Sequence, residues 1–148
     1  MAAYPQAPPF RLDEIEPFLK RSLIAKLGTI NEDGTVHLAP IWFRYRDGEL
    51  WFGSQDLSRK VRNIKHNNQV TVLIDTADPP YQAIMLYGVA ELDYDDVIVK
   101  RSFIFENYMP AEAALAYAQN LAKQFEPVLI RVRPERMVTF DYGKEQRV

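Results

Sequence analysis

Two Asp-Gly pairs, Asp33-Gly34 and Asp47-Gly48, bracket the segment VHLAPIWFRY (Val36–Tyr45) and constrain the chain more than any other feature. Asp-Gly supplies the positive φ values of tight hairpin turns, so the apolar runs on either side fold back antiparallel. LIAKLGTI (Leu23–Ile30) therefore enters a hairpin through Asn31-Glu32-Asp33-Gly34, and ELWFGS leaves by the second turn. Alternation along the middle strand sets Val36, Leu38, Pro40 and Trp42 on one side and His37, Ala39, Ile41, Phe43 and Tyr45 on the other. Both faces are largely apolar and need cover: the chain's own core on one, a partner chain or a ligand on the other. Pro40 has no N–H for a ladder, so the strand is expected to be broken, bulged or at a sheet edge there. Such an interruption frees backbone groups to address a ligand.

The stretch after this hairpin, SQDLSRKVRNIKHN (Ser54–Asn67), concentrates positive charge. Arg59, Lys60, Arg62 and Lys65 carry it with no carboxylate among them. Leu57, Val61 and Ile64 recur at helical spacing, which predicts a helix with an apolar face to dock and a basic face to present. Ser58 is the expected N-cap, with Asp56 just outside. A first turn with free N–H groups, the positive end of the helix dipole, and Arg59 and Lys60 beside it has the ingredients of a phosphate site. The preceding Gly53-Ser54 allows close approach and supplies a hydroxyl. A solvated helix face that is merely basic is the alternative reading.

The remainder reads as more strand with helical cover. A short helix is predicted over Asp13–Arg21, after a proline-rich extended arm at residues 1–11. QVTVLID (Gln69–Asp75) and QAIMLYGVAEL (Gln82–Leu92) are strands, the second with a bulge or close approach at Gly88. Asp95 and Asp96 open a helix to about Tyr108. Pro110 starts another, with Leu115, Ala118, Ala122 and Phe125 as its apolar stripe. VLIRVRP (Val128–Pro134) and MVTFDY (Met137–Tyr142) are closing strands. The expected architecture is mainly β within the α+β class: one domain over residues 1–148, a six-stranded antiparallel split barrel with short flanking helices.

Composition removes several function classes. The chain has 148 residues and no cysteine, which excludes disulfides, thiolate metal sites and cysteine nucleophiles together. A formal charge of −2 argues against a dedicated nucleic-acid binder. MAAYPQAPPF lacks a signal-peptide pattern and no apolar run reaches a membrane span, so a cytoplasmic protein without membrane contact is expected. No P-loop, GxGxxG, HExxH or nucleophile elbow is present. His37 and His66 lie on different elements and read as polar histidines, with no metal site assigned. With so little acid, base or nucleophile machinery, a bound cofactor is expected to carry any reaction. A phosphate site beside an aromatic hairpin suits a ligand with a phosphate tail and a flat ring. Trp42 and Trp51 fit that wall, and fit a plain core or a dimer contact equally well.

The hairpin GTINEDGTVHLAPIWFRYRDGELWFGS followed by SRKVRNIKHNNQVTVLID resembles the pyridoxamine 5′-phosphate oxidase-like family of flavin split barrels. The resemblance runs from about Leu23 to Leu92, with support from RVRPERMVTFDY near the C-terminus. Its most specific part is the order hairpin, Lys60-x-x-Asn63, β-branched strand. It implies a homodimer with two interface sites for FMN or the deazaflavin F420. By resemblance, Ala39, Pro40, Ile41 and Trp42 line the tricyclic ring. Ser54, Arg59 and Lys60 hold the phosphate, and Asn63 supports that loop or the ribityl chain. Met85 and Tyr87, or Phe140 and Tyr142, come from the second subunit. The chain lacks the C-terminal Arg- and His-bearing segment of a true pyridoxamine phosphate oxidase, which places it nearer the small FMN- or F420-dependent members. The implied activity is a flavin oxidoreductase acting on a small planar substrate. A flavin carrier, store or sensor without turnover is the alternative, and a single-strand nucleic-acid binder using Trp42, Trp51 and the basic helix a third.

Overall fold

In the computed structural model, which describes residues 7–145, both Asp-Gly pairs form the expected turns. Gly34 has φ +88°, and Asp47 and Gly48 have +48° and +81°, the paired positive values of a type I′ hairpin. The turns connect β1 (Ala25–Ile30) to β2 (Val36–Ile41), and β3 (Phe43–Arg46) to β4 (Glu49–Gln55). β5 (Gln69–Asp75), β6 (Gln82–Asp93) and β7 (Pro127–Asp141) complete one sheet.

All pairings are antiparallel, in the order β2-β1-β5-β6-β7-β4-β3. The two edge strands, β2 and β3, are thus consecutive in sequence and parted by Trp42 alone. A sheet whose opposite edges are joined through one residue must curl until they meet, and the result is a split barrel. Pro40 is tolerated because β2 is an edge strand, and the strand ends one residue later, at Ile41.

The sheet has seven strands, where six were expected. The segment around Pro40 divides into β2 and β3, while the two predicted closing strands merge into β7. Pro134 does not end β7, because a bulge at Tyr87/Gly88 passes over Glu135 and keeps the ladder running. Gly88 is required there: a Cβ would overlap the carbonyl oxygen of Arg133.

Leu27, Phe43, Leu50, Phe52, Val72, Ile74, Ile84, Leu86, Ile130 and Val132 fill the barrel interior, each 0% exposed. α1 (Leu12–Leu19) and the arm before it close one end. Phe10 packs edge-on against Phe18, and its N–H donates to Thr139 Oγ1 at 2.9 Å. Residues 1–6 of the expected arm lie outside the described range.

Three side-chain placements differ from expectation. α2 (Arg59–His66) buries Val61 and Ile64, but Leu57 precedes the helix and is exposed. α4 (Ala111–Gln124) buries Ala114 and Ala118, leaving Leu115 and Phe125 exposed. Small residues meet the barrel because α4 packs closely on α3 (Val97–Phe105), and together they cover Trp51 and Leu129 on the outer face of the sheet. Asp96 is the N-cap of α3, as expected of a helix opened by Asp95 and Asp96. Asp96, at φ +53°, turns the chain into the helix without a side-chain cap.

Candidate functional site

The β2–β3 junction, the end of β4, the start of α2 and the α3–α4 hairpin converge on one side of the barrel. Trp42 cannot continue the ladder where the chain crosses from one sheet edge to the other. It turns outward, stacks on Tyr108 with ring centroids 4.6 Å apart, and meets Phe105 edge-on at 5.7 Å. Tyr108 fixes this bend. Its proton goes to the Leu23 carbonyl at 2.6 Å, and its oxygen accepts from the Phe43 N–H at 3.0 Å. Beside the bend opens a cleft of about 410 Å³, walled by Pro40, Ile41, Trp42, Phe105 and Tyr117, with Gly53 and Arg101 at its inner end. Its lining is apolar and aromatic apart from the Arg101 guanidinium and the Tyr117 hydroxyl.

The end of β4 and the start of α2 adjoin the Gly53 and Arg101 side of the cleft. Ser58 caps α2, its hydroxyl accepting from the Val61 N–H at 3.4 Å. The same hydroxyl lies 2.9 Å from that of buried Ser54. Lys60, one residue into the helix, is half-buried. Burial first, and the Arg101 charge second, hold its ammonium below the ordinary lysine pKa. Burial likewise lowers the Arg101 guanidinium. Arg101 Nη1 donates to the Ser54 carbonyl at 3.3 Å, whereas its Nε is buried without a partner. Among the described residues no carboxylate acts on either cation.

The predicted residues therefore divide. Pro40, Ile41 and Trp42 line the cleft; Ser54, Lys60 and Arg59 do not, Ser54 being buried next to the lining residue Gly53, Lys60 lying near enough to Arg101 to feel its charge, and Arg59 exposed on α2. Ala39 is paired with Leu27 one position further along β2. Asn63 is 2% exposed and turned inward, its amide donating to Thr29 Oγ1 at 3.1 Å and Asn31 Oδ1 at 2.8 Å. It ties α2 to the first hairpin. Lys65 pairs with Asp56 at 3.1 Å and His66 approaches Glu32 at 3.3 Å, both away from the cleft.

Sequence reasoning missed Arg101, Phe105, Tyr108 and Tyr117. All four come from the α3–α4 hairpin, whose approach to Gly53 and Trp42 is a tertiary event with no local signature. The one available cue was a basic residue within the apolar run VIVKRSFIF.

The residues fit an anionic cofactor with a flat ring: Arg101, without a carboxylate partner, lines an aromatic cleft, and Lys60 and the Ser54–Ser58 hydroxyl pair stand on the adjoining β4–α2 segment. The family model for pyridoxamine 5′-phosphate oxidase matches residues 12–140. Among solved structures, a conserved hypothetical protein, Rv2991, from Mycobacterium tuberculosis is 22% identical over 100% of this chain and 96% of its own, with a TM-score of 0.80. An F420 reductase is 27% identical over 82% and 94%, TM-score 0.66. HutZ, the heme storage protein from Vibrio cholerae, is 18% identical over 86% and 94%, TM-score 0.68. No curated protein matches the chain. Among the described residues, no helix is long and apolar enough to cross a membrane.

Proposed function

This chain belongs to the pyridoxamine 5′-phosphate oxidase family, and on that premise we propose that it is an oxidoreductase using FMN or F420 on a small planar substrate. The observation that carries this reading is a pair of half-buried cations with no carboxylate partner among the described residues, Arg101 lining the cleft and Lys60 near enough to feel its charge. A side chain desolvated without a counter-charge costs folding free energy, and a ligand phosphate offsets that cost when it binds. Ser54, Arg59 and Lys60 would hold the phosphate, and Pro40 to Trp42 would shelter the ring. The flavin or deazaflavin would supply hydride transfer, which no side chain here provides. The cleft lining contains no carboxylate or histidine, so the protein's part is to bind, orient and exclude water.

The outer face of β2 supports a homodimer. Val36 and Leu38 are 61% and 68% exposed on a sheet edge, an apolar strip that a second copy would cover. The test has two stages. The visible spectrum and mass of the co-purifying ligand identify the cofactor. Steady-state oxidation of the reduced cofactor by planar acceptors, such as quinones and nitroaromatics, then measures turnover. Binding at micromolar affinity without turnover for any acceptor would favour the carrier or sensor instead, and absence of flavin binding would remove both readings.

A further inference from the structure

We propose that Arg101, brought to the cleft by the α3–α4 hairpin, is the second cation of the phosphate grip, and that the grip is matched to a dianionic phosphate monoester. The inference rests on the flavin reading and extends it at the anionic end.

Other partly buried arginines show what a structural role looks like in this molecule. Arg131 forms a two-point pair with Glu49, Nη2 to Oε1 at 2.7 Å and Nε to Oε2 at 2.9 Å. Arg44 donates to the Phe103 carbonyl at 2.8 Å and reaches Glu106 at 3.4 Å. Arg101 has no carboxylate: it donates to the neutral Ser54 carbonyl at 3.3 Å, and its guanidinium lies 5.5 Å from the Phe105 ring centroid. Its Nε is buried against Gly53 with no acceptor. A guanidinium presents five donors in a fixed fork, so most of its capacity is uncommitted.

Gly53 is the seat for this side chain. A Cβ there would lie 2.7 Å from Arg101 Nε, 2.9 Å from Cγ and 3.1 Å from Cδ. The close approach expected of a ligand at this glycine is made instead by the chain's own arginine, which lies across β4 on its way into the cleft. From Arg101 the polar contacts run through the Ser54 carbonyl to the Ser54 and Ser58 hydroxyls, and so to the α2 turn that carries Lys60. The Arg101 charge acts on Lys60, so the two cations repel each other across the space between them. An anion placed there is attracted by both. A phosphate monoester carries about −1.5 to −2 at pH 7 and meets two positive charges more fully than a diester does with one negative charge. FMN bears a monoester and F420 a diester, so the match favours FMN.

Fluorescence titration with FMN and with riboflavin, which has the ring and ribityl chain but no phosphate, tests this. Arg101→Met keeps the aliphatic packing on Gly53, and thermal melting checks the fold. We expect FMN affinity to fall roughly 10- to 100-fold, the loss of one charge-assisted hydrogen bond, with riboflavin affinity unchanged. Gly53→Ala should give a loss in the same direction with the charge intact, because Arg101 must leave its seat. Unchanged FMN affinity in Arg101→Met, or equal weakening of both ligands, would overturn the assignment. A second measurement needs no flavin. Methyl phosphate should raise the melting temperature of the wild type but not of Arg101→Met, and dimethyl phosphate should raise neither. If flavin fails to bind while this pattern holds, the cofactor reading falls and the clamp stands. If methyl phosphate acts on both proteins alike, or on neither, the clamp is refuted; equal action of mono- and diester refutes the match to a dianion.

Discussion

Lys60→Met separates a binding role from a structural one. In the free protein the Lys60 ammonium is half-buried, held below its ordinary pKa by burial and by Arg101, and unopposed by any carboxylate among the described residues. Replacing it with an apolar chain of similar length removes a desolvated charge and a repulsion while keeping the stem's packing. The melting temperature should therefore stay level or rise. The bound state differs, because a charge-assisted hydrogen bond to phosphate is worth about 1.5–3 kcal/mol. At about 1.4 kcal/mol per decade, FMN affinity should fall roughly 10- to 150-fold. Arg59, exposed on the rim, provides the contrast: Arg59→Gln removes a screened charge and should cost at most about 1 kcal/mol, or roughly fivefold. Isothermal titration at 0.15 M salt, paired with calorimetric melting, reads both quantities. Parallel losses of stability and affinity in Lys60→Met, or an Arg59→Gln loss as large as that of Lys60→Met, would refute the reasoning.

Three further substitutions probe the frame around the site. Asn63→Ala leaves the fully buried Thr29 hydroxyl without its donor and unties α2 from the first hairpin, so stability should drop by about 1–3 kcal/mol in urea unfolding. Tyr108→Phe strips the Phe43 N–H and the Leu23 carbonyl of their shared partner at the Trp42 bend; a similar loss is expected, with quenching of Trp42 fluorescence by acrylamide increasing as the stack loosens. Glu49 is held below the usual carboxylate range, chiefly by its hydrogen bond from Arg131. Its contribution is complete above the unfolded value near 4.3 and is lost as pH falls through the depressed folded value, so Glu49→Gln should flatten the acid limb of the melting-temperature profile. An acid limb unchanged by the substitution would assign acid sensitivity to other carboxylates.

Much of the barrel was legible because its determinants are local. Asp47-Gly48 needs positive φ at two adjacent residues and adopts it; Ser58 caps the helix that its position announces; Gly88 marks a bulge no larger residue would permit. Strand counting failed where continuity is a sheet-level property. Pro40 sits within β2 because the strand is an edge, and Pro134 sits within β7 because the ladder bulges past Glu135. Neither condition can be read from the residues around the proline. Leu115 and Leu57 were misassigned for a similar reason: periodicity gives the spacing of an apolar face, while packing decides which face is used.

The cleft shows the same division at the level of function. Its ring wall and the Lys60 turn lie within about twenty residues of sequence, joined by one hairpin, and their order alone suggested a phosphate beside a flat ring. The charge that completes the cationic end enters from α3, more than forty residues later, and nothing in VIVKRSFIF distinguishes Arg101 from its neighbour Lys100. The structure separates them: Lys100 turns to Asp93 at 2.8 Å, while Arg101 turns onto Gly53 with no acid to meet. A helix that neutralises one of two adjacent cations and leaves the other half-buried without an acid is poorly explained by folding stability alone, since that charge is partly desolvated in the free protein. The proposed recognition of an anion would account for it, because in the bound state that charge would acquire an anionic partner.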